Sequence, residues 1–458
     1  MRTLLAILAA KTAFKLNRVT GSGGTALPGL VAEKIDRNIL RRLASYNFPK
    51  GTIVVTGTNG KTTTTRLIAN ILDEAGISYV HNRTGSNLER GIIASIISDS
   101  SIGGKVHAEV GLFEVDEAYM PKVCRAIKPK MIIVTNLFRD QLDRYGELDK
   151  IARSFRDLFD DLPQTELLLN ADDPLVASLG LNLENERKVR YFGVGDFVGK
   201  NLQHDRTADS VFDPFTQEKL YYTQRYFGHI GKYRSKNKEF NRPIPEFQAN
   251  ALRQKGIESI SFVVNKTTER IKIDLPGIFN VYNGIAAYGI AKAYFNLDDK
   301  LIQLGFASSR AAFGRSEKLF YKNRELLMLL IKNPTGLNQI IQTYLLNEPD
   351  RLLVFIINDN FADGRDVSWL WDAALEDLKG YKGKIMVAGI RAWDMALRLK
   401  YAGIEDVLVE TSNKRLLSTI ENQSGRHSRV FVLPTYTAML DLRGRLVAED
   451  AKAQEYWQ

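Results

Sequence analysis

The chain has 458 residues, with 63 Lys and Arg against 53 Asp and Glu and a single cysteine, Cys124. This length exceeds what one hydrophobic core usually organises, so we expect two or three domains. One cysteine excludes a disulfide scaffold and a cysteine-rich zinc site, and it is typical of a reducing cytoplasm. No apolar run reaches the roughly 18 residues that a membrane-spanning helix needs, so the sequence predicts no such helix.

The first fifty residues are basic, with nine Lys or Arg against two Asp or Glu. Residues 3–10 are apolar like the centre of a signal peptide, but Lys11, Lys15 and Arg18 follow at helical spacing and favour an amphipathic helix. Such a segment suits an anionic membrane surface, an acidic partner or plain solvent. Because no nucleic-acid-binding motif accompanies this segment, we expect no nucleic acid partner. We expect a cytoplasmic protein that can lie at the inner face of the plasma membrane.

Strand-like apolar runs alternate with helical patterns along most of the chain. The first predicted element is a helical segment over 1–45. We expect two breaks in it, at the glycine-rich residues 21–24 and at Leu27-Pro28-Gly29. Strands are then predicted at 52–56, 110–115, 131–135, 167–170, 259–264, 270–275, 327–331, 352–357, 384–388, 406–409 and 429–433. This alternation predicts an α/β protein with a central phosphate-loop domain on a parallel sheet over 46–309 and a C-terminal Rossmann-like domain over 310–458.

Residues 200–246 break the alternation and are called the insertion below. They are polar, rich in Tyr and Phe, and carry six Lys or Arg against one Glu between Arg225 and Arg242. We expect the insertion to lie outside the strand series of the central sheet. Its basic run is a second candidate for contact with anionic lipid or a pyrophosphate group.

A glycine-rich loop follows the first predicted strand and opens a helix. It reads Thr56-Gly57-Thr58-Asn59-Gly60-Lys61-Thr62-Thr63. Glycines let backbone N–H groups converge on one point and the helix N-terminus adds partial positive charge, so the loop suits a phosphate group. Lys61 would supply a full charge to the β- and γ-phosphates, and the Thr62 hydroxyl a ligand for Mg²⁺. The common loop spacing requires glycine at position 55, where this chain has valine, so the loop is a variant.

The loop resembles that of the Mur ligases, the ATP-dependent amide-forming enzymes of peptidoglycan synthesis. The resemblance implies ATP and Mg²⁺ as cofactors and a nucleotide site built from Gly57, Thr58, Asn59, Gly60, Lys61, Thr62 and Thr63. Glu114 follows a strand where the family has a magnesium-binding glutamate, and a carboxylate is a hard ligand that suits this ion; a surface carboxylate is the alternative. Gln141, in the segment 135–146, replaces a histidine that usually helps to bind a second metal, which weakens a two-metal site.

Two further segments resemble the nucleotide contacts of the family. Asn280 or Asn283, in the segment 277–287, is suited to pair with both edges of adenine, although Asn280 is equally suited to cap the helix. Arg315, in the Gly314-Arg315-Ser316-Glu317 segment, would contact the phosphate or ribose, or pair with Glu317 instead.

Two departures from ordinary Mur ligases favour one branch of the family, MurT, the synthetase subunits of lipid II isoglutaminyl synthases. The loop begins near residue 56, which leaves no room for the usual UDP-substrate domain. The third domain opens with Lys332-Asn333-Pro334 in place of the family's D-Y-A-H-N-P segment. Further matching segments are 114–117, 138–147, 360–369 and 435–440.

One feature of MurT proteins is missing here, the four-cysteine zinc ribbon of the middle domain. The corresponding stretches read Asp213-Pro214-Phe215-Thr216 and Ser235-Lys236-Asn237-Lys238. Asp213 and His229 alone cannot close a tetrahedral zinc site, so we expect no zinc. Aromatic packing would then replace the contribution of the metal to folding, through Phe212, Phe215, Tyr221, Tyr222, Tyr226, Phe227 and Tyr233.

The resemblance implies a reaction in which the α-carboxyl of D-glutamate in the lipid II stem peptide becomes D-isoglutamine through an acyl phosphate, with Lys61 and Glu114 in the catalytic site. Cys124 lies on a predicted helix with no nearby histidine, so ammonia would come from a partner glutamine amidotransferase of the GatD type. Asp366 would orient the histidine of that partner, with Asp363 as the weaker candidate. The alternative is a loop aspartate that caps the next helix.

Two other functions share parts of this pattern. A folylpolyglutamate-synthase-like ligase has the same loop, but it adds a free amino acid and needs no glutaminase. A nucleotide-binding scaffold without catalysis is conceivable because the zinc ligands are lost, but Lys61, Thr62 and Glu114 are intact.

Overall fold

The computed structural model describes residues 1–20, 26–82, 86–139, 147–181, 183, 188–196, 208–236, 240–267, 269–308, 315–425 and 429–449. Three helices lead the chain: α1 (Arg2–Thr20), α2 (Leu27–Ile35) and α3 (Ile39–Tyr46). The expected break at Leu27-Pro28-Gly29 is wrong, since these residues begin α2. Proline is tolerated in a first turn, where its missing N–H has no intrahelical acceptor. Residues 21–24 lie outside the described residues.

The central part of the chain forms a sheet flanked by helices. Its helices are α4 (Lys61–Glu74), α5 (Glu89–Asp99), α6 (Met120–Ile127), α7 (Glu147–Asp161), α8 (Pro174–Ser178), α9 (Ile278–Ala293) and α10 (Asp299–Ala307). Its strands are β1 (Thr52–Thr56), β2 (Tyr79–His81), β3 (Val110–Glu114), β4 (Met131–Val134), β5 (Glu166–Asn170), β6 (Val189–Val194), β7 (Tyr221–Phe227), β8 (Ile230–Arg234), β9 (Phe247–Lys255), β10 (Ser259–Val264) and β11 (Arg270–Ile273).

In the described part of the chain, nine of these strands form one sheet in the order β11-β10-β9-β6-β5-β4-β1-β3-β2. Within this sheet, β9, β6, β5, β4, β1, β3 and β2 pair in parallel, and β10 and β11 add antiparallel pairs at one edge. β1, β3 and β4 are buried along their whole length because helices cover both faces, which is why they read as continuous apolar runs. Their carboxyl ends meet at one edge of the sheet, where ligands of open α/β sheets bind.

The predicted strands of the central sheet are present, but β2, β6 and β9 were not predicted. β9 alternates buried and exposed residues and ends in a polar stretch, so its sequence lacks a strong apolar run. β6 is a partly buried strand that begins with Val189 and Arg190. β7 and β8 form a separate antiparallel hairpin, so the described residues of the insertion lie outside the central sheet, as expected.

The last third of the chain forms a second α/β sheet. Its strands are β12 (Arg315–Tyr321), β13 (Arg324–Leu329), β14 (Leu352–Ile356), β15 (Ile385–Ala388), β16 (Val407–Glu410) and β17 (Arg429–Pro434). Its helices are α11 (Pro334–Ile340), α12 (Ala392–Tyr401), α13 (Leu416–Gln423) and α14 (Tyr436–Glu449). The strand order β12-β13-β17-β14-β15-β16 is parallel except for β12, which was not predicted. Together the two sheets confirm the α/β class.

Among the described helices, none combines the length and the apolar character that crossing a bilayer requires.

Candidate nucleotide and amidation site

The glycine-rich loop between β1 and α4 has a backbone that only glycine accommodates well. Gly57 and Gly60 have φ angles of 124° and 88°, in the region that side chains with a Cβ rarely adopt. A Cβ on Gly57 would overlap the Thr135 hydroxyl, and one on Gly60 would overlap the Asn283 side chain. The loop is therefore packed tightly against the chain after β4 and against α9.

The start of the loop is anchored to the chain that follows β4. Thr58 N–H donates to the Asn136 carbonyl at 2.9 Å, and the Thr58 hydroxyl bonds the backbone of Phe138. Asn59 N–H donates to the Asn136 side chain at 2.9 Å. Thr58 and Asn59, predicted as nucleotide contacts, thus have their N–H groups engaged within the protein. The first-turn N–H groups of α4, which have no intrahelical acceptor, are the donors that remain for a phosphate.

Lys61 lies inside the loop and is paired with an acid that the motif analysis did not single out. Its ammonium group lies 2.9 Å from Glu117 Oε2, and it donates to the carbonyls of Gly57 at 2.5 Å and Thr58 at 3.3 Å. Both side chains are almost fully buried, at 5% and 9% exposure. A bound phosphate would therefore compete with Glu117 for the Lys61 charge, and Glu117 positions Lys61 at the loop.

Glu114 and Thr62 are the predicted oxygen ligands for Mg²⁺. Glu114 is the last residue of β3, next to Val55 in the sheet register, and it is buried. Its backbone exchanges two hydrogen bonds with the Asn82 side chain, at 2.8 and 3.0 Å, which holds the strand end in place. Thr62 lies in the first turn of α4 and is half-buried. Across the described residues, no group of three or more His, Cys, Asp or Glu could hold a metal by itself.

The two asparagines of α9 support the loop from behind. Asn283 Oδ1 accepts from the Thr64 hydroxyl at 3.3 Å, and Asn283 Nδ2 donates to Asn280 Oδ1 at 3.1 Å. Asn280 Nδ2 donates to the Pro276 carbonyl at 2.7 Å. The expectation that Asn280 caps α9 is wrong, because the capping position is Gly277 and Asn280 lies inside the first turn. A contact of either amide with adenine stays a prediction.

The C-terminal domain reaches the loop through Asn333, a residue that the motif analysis did not assign. Asn333 is fully buried, caps α11 by accepting from Gly336 N–H at 2.8 Å, and donates to Asn59 Oδ1 at 3.1 Å. The sequence feature that could have identified Asn333 is its position in the segment that replaces D-Y-A-H-N-P. Arg315 begins β12, but its side chain lies outside the described residues. Gln141 and Gly314 lie outside them as well. Glu317, the alternative partner of Arg315, accepts a hydrogen bond from Arg443 at 2.7 Å.

The two candidate aspartates of the C-terminal domain have different surroundings. Asp363 accepts from Thr437 N–H at 2.7 Å, the Thr437 hydroxyl at 2.5 Å and Asn360 N–H at 3.1 Å, so it ties its loop to α14. Asp366 is half-buried and Oδ1 accepts from Ser368 N–H at 2.8 Å, at the start of a 3₁₀ turn, Ser368–Trp371. Capping therefore occupies one oxygen of Asp366. Within the described ranges, Oδ2 has no partner.

Cys124 is not arranged as a nucleophile. It lies on α6, as predicted, and is fully buried. Burial raises the pKa of its thiol, so the reactive thiolate is disfavoured.

The insertion uses polar side chains where its relatives are expected to have thiolates. Asp213 Oδ1 accepts from the N–H groups of Phe215 at 2.8 Å and Thr216 at 3.2 Å, which closes the first turn. The Ser235 hydroxyl accepts from Phe240 N–H at 3.1 Å and closes the second turn. Both turns are therefore held by hydrogen bonds within the chain.

The aromatic packing of the insertion is only partly as expected. Tyr226, Phe227 and Tyr233 are buried, and Tyr222 is half-buried. Phe212, Phe215 and Tyr221 were expected in this core, but each is about half exposed because it lies on the outer side of the insertion. Buried His229 lies 3.3 Å from Asp173 Oδ2, and its ring centre lies 4.3 Å from that of Phe138, which fastens the hairpin to the central domain.

These contacts lead to a metal-removal prediction. Treatment with a strong chelator is expected to leave the thermal unfolding midpoint unchanged, because the turns of the insertion are closed by Asp213 and Ser235. Asp213→Ala is expected to lower stability by roughly 0.5–1.5 kcal/mol, since the N–H groups of Phe215 and Thr216 lose their acceptor. Calorimetry with and without chelator tests both, with Glu218→Ala, an exposed residue of the same turn, as the control. A chelator-sensitive midpoint would contradict the zinc-free fold.

Comparisons with known proteins agree on one family. The Mur ligase middle domain matches residues 55–237, and the MurT ligase C-terminal domain matches residues 330–439. Among solved structures, a pseudomurein peptide ligase type C from Methanothermus fervidus has a TM-score of 0.66 at 19% identity, covering 89% of this chain and 80% of that one. A folylpolyglutamate synthase from Mycobacterium tuberculosis, solved with ADP, has a TM-score of 0.60 at 14% identity, covering 98% and 95%. At these identities the structures show the shared fold.

The curated relatives narrow the family to one branch. The lipid II isoglutaminyl synthase (glutamine-hydrolyzing) subunit MurT of Staphylococcus aureus is 32% identical over 97% of this chain and 98% of its own length. The subunit of the same name from Streptococcus pneumoniae is 34% identical over 99% of both chains. With this identity over its whole length, the chain belongs to the MurT family of Mur ligases.

Proposed function

We propose that this chain is the synthetase subunit of a glutamine-hydrolysing lipid II isoglutaminyl synthase. It would amidate the α-carboxyl of D-glutamate in the lipid II stem peptide and so form D-isoglutamine for peptidoglycan synthesis. The observation that carries the proposal is the match to MurT subunits over 99% of the chain, in a fold that keeps the phosphate loop and Lys61 in place.

ATP and Mg²⁺ fit the residues at the loop. Gly57 and Gly60 allow the loop its left-handed turns, and the first turn of α4 offers backbone N–H groups to phosphate oxygens. The Thr62 hydroxyl and the Glu114 carboxylate are oxygen ligands of the kind that Mg²⁺ prefers, with water and phosphate completing its shell. When bound, Mg²⁺ supplies positive charge to the phosphate oxygens. Arg315 and one of Asn280 and Asn283 are proposed to hold the rest of the nucleotide.

The reaction needs two substitutions. An oxygen of the substrate carboxylate attacks the γ-phosphorus of ATP, the bond to the β-phosphate oxygen breaks, and ADP leaves with the acyl phosphate formed. Ammonia then attacks the acyl carbon, the bond to the phosphate oxygen breaks, and the amide, inorganic phosphate and a proton are released. Lys61 stabilises the charge on the transferring phosphoryl group, which is mainly a matter of positioning and electrostatics.

A GatD-type glutamine amidotransferase is the proposed source of the ammonia. The curated relatives are named as subunits, which supports an assembly of more than one chain. The segments that follow the neighbouring parallel strands β14 and β15 carry Asp366 and expose Phe361 at 89%, Ile390 at 61% and Trp393 at 67%. Large exposed apolar side chains at one end of a sheet are typical of an interaction surface, so we propose that the glutaminase docks here.

Lipid II is linked to a lipid, so we also propose that the enzyme works in the cytoplasm at the inner face of the plasma membrane. The basic run of the insertion is less available for this than expected. Arg242 is half-buried in an ion pair with Asp172, and Lys232 pairs with Asp196 at 2.5 Å.

Mass analysis of lipid II tests the proposed function. The chain, co-expressed with a candidate glutaminase and given ATP, Mg²⁺ and glutamine, is expected to lighten each stem peptide by the difference between a hydroxyl and an amino group. Addition of a whole amino acid would favour a folylpolyglutamate-synthase-like ligase instead. Absence of any ATP turnover with lipid II would favour a nucleotide-binding scaffold.

A further inference from the structure

The first helix presents an apolar face to solvent. Its inward residues Ala6, Ile7 and Ala10 are at most 1% exposed and belong to the core. Its outward residues are apolar too: Leu4, Leu5, Leu8 and Leu16 are 43%, 55%, 39% and 60% exposed. At 100° per residue these four leucines and Lys15 fall on one side of α1. A surface helix normally turns polar residues outward, so this leucine face requires an explanation.

The helices that follow α1 add exposed cations near its N-terminal end. Of the two acids in the first fifty residues, Glu33 pairs with Arg90 at 2.8 Å and with Lys122 at 3.7 Å. Asp36 pairs with Arg42 at 3.2 Å and accepts from the Thr3 hydroxyl at 2.9 Å. Both acids are therefore neutralised locally, and the charge excess of this region remains at its surface.

Part of the excess lies in exposed side chains near the first turn of α1. Lys34, Arg37 and Arg41 are exposed and make no ion pair within the described ranges. They lie near α1 because Arg2 donates to the Ile35 carbonyl at 2.7 Å and Arg42 donates to the Thr3 hydroxyl at 2.8 Å. An apolar stripe with neighbouring cations is the chemistry of a helix that lies in the headgroup layer of an anionic membrane.

We propose that α1 is a membrane-surface helix, whose leucine face enters the interface of an anionic bilayer while Lys15, Lys34, Arg37 and Arg41 contact lipid headgroups. This proposal rests on the proposed function, because membrane attachment serves an enzyme whose substrate is linked to a lipid. Burial of the leucine side chains and attraction of the cations to anionic headgroups each bind the membrane weakly. Together they give a stronger but reversible attachment.

Vesicle flotation of the full chain with its glutaminase tests the proposal. The wild-type complex is expected to float with vesicles of phosphatidylcholine and phosphatidylglycerol, less with phosphatidylcholine alone, and less at high salt. Leu5→Glu and Leu8→Glu are each expected to weaken binding at least about tenfold, since each removes apolar burial and adds repulsion. Arg41→Gln is expected to weaken it about fivefold. Leu304→Glu, on α10 and 46% exposed in the wild type, is the matched control and is expected to bind as wild type.

The outcomes separate this proposal from the function on which it rests. The membrane role would be overturned if the wild-type complex floated equally with and without phosphatidylglycerol. It would also be overturned if the leucine variants floated as well as wild type. Release of the glutaminase or of a second copy by Leu8→Glu, with vesicle binding retained, would show that a protein covers this face. Lipid II dissolved in detergent should be amidated by Leu8→Glu at the wild-type rate. A wild-type complex that floats but amidates nothing would refute the function and leave the surface assignment standing.

Discussion

Lys61→Met is expected to lower the rate of ATP-dependent amidation by about 10²–10³-fold, because a positioned charge on the transferring phosphoryl group is lost. Methionine keeps an unbranched apolar stem, so the packing of the loop changes little. The measurement is the turnover of ADP release by the complex with glutaminase, lipid II and glutamine. A rate within a few fold of wild type would remove Lys61 from the catalytic site.

The structure supplies a control for this variant. Lys61→Met leaves Glu117 as a buried carboxylate without its cation, which costs roughly 3–5 kcal/mol of stability in such pairs. The double variant Lys61→Met/Glu117→Gln removes the stranded charge, so we expect it to regain most of the thermal midpoint and none of the activity. If the double variant regained activity as well, unfolding rather than lost phosphate binding would explain the single variant.

Asp366→Asn is expected to abolish glutamine-dependent amidation and spare amidation with free ammonia. The proposed role of the carboxylate is to orient the histidine of the partner glutaminase, and loss of such an orienting carboxylate lowers turnover about 10⁴-fold in hydrolytic triads. The amide oxygen of asparagine can still accept from Ser368 N–H, so the 3₁₀ turn is expected to persist. Amide formation is followed with glutamine and with ammonium chloride as separate nitrogen sources.

Asp363→Asn distinguishes a partner role from a structural one. Asp363 accepts from Thr437 and Asn360, so this variant is expected to loosen the loop and to lower both nitrogen-dependent rates together with the thermal midpoint. Equal loss of both rates in Asp366→Asn, with an unchanged midpoint, would refute the assignment of Asp366 to the partner.

Much of the fold was predictable because its signals are local. β1, β3 and β4 are short apolar runs bounded by polar turns, and each was expected where it lies. The MurT resemblance, based on motifs such as the loop at 57–63, was confirmed by the curated relatives. β9 was missed because a polar strand is specified by its neighbours β6 and β10, and these pairings are invisible in its own residues.

The sequence by itself determined the family, the α/β class and the phosphate loop, because glycine, lysine and threonine at fixed spacing act within one turn of chain. Only the tertiary structure decided which groups these residues meet. Glu117 reaches Lys61 from 56 positions away, and Asn333 reaches Asn59 from 274 positions away. It also decided that the leucines of α1 face solvent, since helical periodicity identifies two apolar sides but not which one the core covers.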